Sequence, residues 1–247
     1  MPVTVIKTYK MVAWCSVLSL PVCGAAMYAF MAAVNFDTTI TNLPVAAIGH
    51  IQSGYLAAWG IFDILGYYLM RVPLIIFLWQ WLRALNPMLA DTASICALLY
   101  IFLAVSAASL LTGSLTGINA QYEAAAPALR VGLEGAWIAA ISTIYGGLWQ
   151  FNLIPWLFWG LAMGGLLKSQ RRFQGLALQA VGLASLVGVV GIFFGNSART
   201  LLSIVDNVQV NFMPIWMAWV GISLLRKPPI PLSQRQDGDQ FPPGAHP

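Results

Sequence analysis

The chain has 247 residues, 59% of them hydrophobic and 8% charged, with twelve Lys and Arg against eight Asp and Glu and a mean hydropathy of +0.77. Soluble domains carry about 25% charged residues and about 45–50% apolar ones, and so few charges cannot cover a chain of this size in water. A water-soluble fold, a disordered chain, a collagen and a nucleic-acid binder with a basic face are therefore set aside. What is left is an all-α integral membrane protein.

In chain order, Lys7 and Lys10 precede an apolar run from Met11 to Val34. That run exceeds the 7–15 residues of a signal-peptide core and is long enough to span, so it reads as a retained signal-anchor helix. Leu20-Pro21-Val22-Cys23 has the outline of a lipoprotein cleavage site, but Val22 suits it poorly. A polar loop with Asn35, Asp37, Asn42, Pro44 and His50 leads to a second span over about 55–82, which contains Asp63, Arg71 and Pro73. Asn86-Pro87 turns the chain into a third span, about 93–112, and a Gly/Ser/Thr/Ala-rich loop is expected over 113–128. The apolar stretch Leu129–Leu167 is broken by Gly146-Gly147, Asn152 and Pro155 and ends at the clip Lys168-Ser169-Gln170-Arg171-Arg172. Spans follow at about 174–195 and 208–225, joined by a loop at 196–207. Residues 226–247, with six prolines, read as a flexible tail, so that 1–225 is one transmembrane domain.

Basic residues collect on the cytoplasmic side of short loops. With six spans, Lys7, Lys10, Arg83, Lys168, Arg171, Arg172, Arg226, Lys227 and Arg235 all fall on one side. A seventh crossing would put Lys168, Arg171, Arg172, Arg226 and Lys227 outside. Six spans with both termini cytoplasmic, in a bacterial inner membrane, is the expected architecture. Residues 129–147 then form an amphipathic or re-entrant segment on the outer face, where Arg130 and Glu134 stand four apart and can pair.

Ionisable residues at membrane depth point to function by default. Asp63 and Arg71 are such residues. Pro73 frees a carbonyl near position 69 to which the Arg71 guanidinium could bond. The two form either a packing network or the lining of a cavity for a polar or anionic ligand. On the six-span topology Asp63, Glu134, Asp206 and His50 gather toward the outer mouth, a set suited to proton transfer or a ligand. No metal site is expected, because His50 has no partner at ligand spacing and Cys15, Cys23 and Cys96 form no cluster. Trp149, Trp156 and Trp159 near Pro155 make an aromatic platform. No motif demands a cofactor; a lipid, quinone or carotenoid is the class such a platform would take. Gly160-x-x-x-Gly164 and Gly191-x-x-x-Gly195 allow helices to approach closely.

The stretch Gly147-Leu-Trp-Gln-Phe-Asn-Leu-Ile-Pro155-Trp-Leu-Phe-Trp-Gly160, with the apolar run, basic clip and Gly-rich span behind it, resembles an uncharacterised bacterial six-span membrane-protein family defined by a domain of unknown function. Asp63 ten residues before Pro73 is similar to that family's acid-then-Pro second span, and the likeness covers about residues 10–225. The third span, Ile95–Leu111, departs from it by lacking an Arg and a Glu. The resemblance implies topology and no reaction. Three functions follow from the residues. The first is an accessory or structural subunit, packed against other membrane subunits or a second copy in the lipid bilayer, or binding lipid or pigment. The second is a small transporter or channel using Asp63 and Arg71. The third is an intramembrane enzyme on a lipid or isoprenoid, using Asp63, Glu134 and His50. No nucleic-acid partner is expected.

Overall fold

The computed structural model describes residues 3–194 and 199–229, with the side chains of 3–7, 192 and 199–206 left aside. The expected Pro-rich tail lies almost wholly outside these residues. The described residues are helical apart from short connections, and six helices are long and apolar enough to cross a membrane. Helix α1 spans Val3–Ala33. The second crossing is composite: α2 (Ser53–Phe62), a π-helical segment Asp63–Tyr68, one 3₁₀ turn Leu69–Arg71, and α3 (Val72–Leu82). Helix α4 runs Pro87–Tyr122, started by the Asn86 side chain accepting from Leu89 N at 3.1 Å and by Pro87 in the first turn.

Helix α5 (Pro127–Thr143) continues through a π segment Ile144–Leu148, a single turn α6 (Trp149–Phe151) and α7 (Leu153–Lys168). The ambiguous stretch is therefore one helical course, 127–170, which counts once among the six spans. Helices α8 (Arg172–Ile192) and α9 (Arg199–Arg226) complete the bundle. Each crossing packs on its sequence neighbours, and α9 closes back on α1, so the six form a ring. Its interior holds two apolar clusters, one around Leu74, Ile75, Tyr100, Trp156 and Trp216, the other around Leu43, Leu111, Leu115, Trp137 and Ile144.

The loop expected at 113–128 is mostly absent: α4 stays helical to Tyr122, beyond the roughly 20 residues a bilayer needs. The cause is a staple. Asn119 Nδ2 donates to Ile51 O at 2.8 Å and to Ser53 Oγ at 3.0 Å, while its Oδ1 accepts from Gly49 N at 2.8 Å. Gly49 takes φ +82° to present that N–H. The connection 34–52 thus folds back over the end of α4 and supplies the partners that hold its last turns. Within it Asp37 accepts from both the N–H and the hydroxyl of Thr39, which hold its carboxyl below the usual carboxylate range. This contribution is present above the unfolded carboxyl's pKa and is lost as pH falls through the lower folded value.

Without a hydrophobic force between helices in lipid, close backbone approach carries the packing. A Cβ on Gly160 would stand 2.7 Å from Gly182 Cα, and one on Gly164 would stand 2.9 Å from Gly175 O. Gly175 in turn lies against the Lys168 backbone. Helices α7 and α8 therefore touch backbone to backbone along their length. Gly165, one residue from Gly164, faces only the flexible end of Gln179 at 3.5 Å. Gly160→Ala should lower stability by about 1–3 kcal/mol through overpacking, whereas Gly165→Ala should stay within about 0.5 kcal/mol, measured by denaturation in mixed micelles.

Candidate functional site

Arg71 is fully buried in the middle of the second crossing. Its guanidinium carbon stands 4.6 Å from the Tyr67 ring centroid, 4.7 Å from that of Trp156 and 5.5 Å from that of Tyr100. Tyr67 precedes Arg71 on the same helix, Tyr100 comes from α4 and Trp156 from α7. The carbonyl near position 69 does not reach it as expected. Leu69 O is taken by the N–H of Val72, because the 3₁₀ turn tightens ahead of Pro73 and uses the acceptor locally.

The rings continue as a column. Tyr100 stacks on Trp156 at 4.3 Å, Trp156 on Trp159 at 4.5 Å, and Trp159 meets Trp216 of α9 edge-on at 6.2 Å. Tyr67 Oη donates to Gln209 O on α9 at 2.8 Å, and Gln209 Nε2 donates to Ser185 Oγ on α8 at 2.6 Å. At Gly66 the π segment lies so close to α1 that a Cβ would stand 2.6 Å from Val22. The centre therefore touches every crossing of the ring.

Magnitudes say what such a centre can do. Inserting a central Arg costs about 2.5–3.5 kcal/mol on the translocon scale, and a desolvated cation–π contact returns about 2 kcal/mol. Three rings are enough to offset that cost. A guanidinium holds its proton under any ordinary condition and serves neither as base nor as nucleophile. The chemistry available is fixation of a positive charge that orients rings and helices.

Asp63 opens the π segment, is half-exposed and forms no salt bridge with Arg71. The other sequence candidates are held elsewhere. His50 is exposed in the 34–52 connection, where its carbonyl accepts from Asn35 Nδ2 at 2.9 Å. Glu134 Oε1 accepts from Tyr122 Oη at 2.5 Å. It does not pair with Arg130, whose guanidinium caps the end of α4 through Ala125 O and Glu123 O and lies over the Tyr122 ring. Tyr122 thus stands between the two charges expected to meet. The Asp206 side chain lies outside the described residues. Among the described residues no group of three His, Cys, Asp or Glu could hold a metal ion. Of the aromatic platform, Trp156 and Trp159 join the column, while Trp149 packs edge-on against Tyr145 at 4.7 Å.

Sequence reasoning passed over Tyr67, Tyr100, Ser185 and Trp216. Tyr67 was within reach, because it stands four residues before Arg71 and so near its face. The others meet the centre only through the ring closure. No protein-family model matches the chain, and neither a curated protein nor a solved structure matches it.

If the centre works by packing, volume matters more than charge. Arg71→Met should keep the fold with stability unchanged or raised, as when a buried ion gives way to an apolar group of similar size. Arg71→Ala should lose about 2–4 kcal/mol to the cavity. Reversible unfolding in bicelles, followed by tryptophan fluorescence, separates the two; equal loss in both variants overturns the packing role.

Proposed function

We propose that this multi-pass membrane protein is an accessory or structural subunit of a bacterial inner-membrane assembly, not a catalyst. The observation that carries this is helix α5. It is helical over 17 residues, yet Trp137 is the single one of them buried, anchored by Nε1 donating to Leu43 O at 2.8 Å. Val131 is 70% exposed, and Leu129 and Ile138 are each 53% exposed. A helix gains most of its stability from packing an apolar face, so α5 is built to lean on something beyond this chain: a second membrane subunit, a copy of itself, or the bilayer surface.

The placement of basic residues supports cytoplasmic termini, with 129–147 at the outer face. The likeness to the six-span family with a domain of unknown function belongs to the same reading. The enclosed Arg71 centre supports it as well, since a subunit needs a stiff frame more than a moving one. The alternative, a small transporter or channel past Asp63 and Arg71, draws its support from the π and 3₁₀ backbone between them, a departure often found at functional sites.

Purification from the native membrane in digitonin should bring down a stoichiometric partner or a homo-oligomer, and Val131→Glu, on the exposed face of α5, should release it while the bundle stays folded. A lone monomer from both proteins overturns the subunit reading. Ser169→Cys should react with a membrane-impermeant maleimide only after cells are opened; reaction in intact cells reverses the topology.

A further inference from the structure

The end of the bundle opposite the Asn119 staple carries a second arrangement, independent of both the Arg71 centre and α5. Arg171, in the turn between α7 and α8, reaches the end of α9. Its Nη1 donates to Ser223 Oγ, and its Nη2 donates to Lys227 O at 2.6 Å. Its carbon lies 5.8 Å over the Trp81 ring of α3. Three helix ends thus fix one half-buried guanidinium in a single orientation. Among the described residues two of its five N–H donors are engaged, which leaves three.

Around it Lys168, Arg172, Arg226 and Lys227 are all exposed. Asp91 is the one acid among the described residues of this end, and Arg83 engages it at 2.8 Å. Five positive charges from the α7–α8 turn and the α9 end therefore face no anion among the described residues. Half-burial also draws the Arg171 guanidinium below its ordinary value, because burial strips water from the charged form. Beside the charges Phe173 is 73% exposed and Leu176, one turn on, 39%. A phosphate binder facing water would not flank its cations with a bare phenyl ring.

We infer that this end is a headgroup site for an anionic phospholipid. Arg171 holds the phosphate oxygens through its remaining N–H donors, the exposed Lys and Arg side chains surround the headgroup, and an acyl chain runs along Phe173 and Leu176. Arg is suited to the anchor because its planar fork meets two phosphate oxygens at once, and Ser223, Lys227 O and Trp81 set the fork before any lipid arrives. The Lys and Arg side chains around it add their own attraction to an anionic headgroup. The site differs from a diffuse basic rim in depending on the shape of one residue.

The test uses the full chain in neutral detergent, with short-chain phosphatidylglycerol, phosphatidylcholine of the same chain length, and inorganic phosphate as separate probes. Melting temperature and lipid retention in native mass spectrometry are read together. Phosphatidylglycerol should raise the melting temperature in a saturable way and survive as a one-to-one adduct, while phosphatidylcholine and phosphate do neither. Arg171→Lys, which keeps the charge and loses the fork, should weaken phosphatidylglycerol about tenfold; Lys168→Gln should weaken it about two- to fivefold. Should Arg171→Lys fail to fold, the double variant Lys168→Gln/Arg226→Gln carries the test, with a loss of about tenfold or more expected. Equal response to the two lipids, unchanged affinity in Arg171→Lys or in the folded double variant, or an equal effect of phosphate alone overturns the assignment.

Discussion

A guanidinium enclosed by three aromatic rings is the constraint from which the rest of this bundle follows. Arg71 cannot be hydrated where it sits, and among the described residues no carboxylate forms an ion pair with it. Its charge is tolerable only while Tyr67, Tyr100 and Trp156 hold their faces toward it. Those rings come from three crossings, and through Gln209, Ser185 and Trp216 their positions depend on two more. A shift of any one helix would uncover the cation. Polar cost therefore selects one arrangement among the many that apolar packing alone would accept.

The local backbone serves the same end. An α-helix from Asp63 to Arg71 would present its side chains at fixed 100° steps. The π segment takes up the chain more slowly and the 3₁₀ turn more quickly, and the two together set Tyr67 beside Arg71 while the helix stays continuous into α3. Away from this centre, small residues do the joining. Gly221 lies against Ala13 O on α1, as the α7 glycines lie against α8. Large rings in the middle and glycines at the seams divide the work.

Much of this was legible in the amino-acid order. The six crossings were, because uninterrupted hydropathy and the positions of Lys and Arg are properties of the chain alone. Asp63 and Arg71 stood out for the same reason. Helix α4 was read too short because Gly113, Gly117 and neighbouring Ser and Thr look like a loop until Asn119 is seen holding the 34–52 connection. The Arg130–Glu134 pair failed because spacing names possible neighbours and cannot know that Tyr122 will come between them. The acceptor freed by Pro73 was consumed one residue away. The partners of Arg71 on α4 and α7 lie about 30 and 85 positions downstream, beyond the range of any helical period.

The contact between α7 and α8 makes a double wall of the fourth and fifth crossings. Two apolar helices joined by Ser169-Gln170-Arg171 and touching through Gly160, Gly164, Gly175 and Gly182 leave no gap for an acyl tail between them. Such a pair is one stiff wall with a dry seam, and the third crossing settles on its α7 side while the sixth settles on its α8 side.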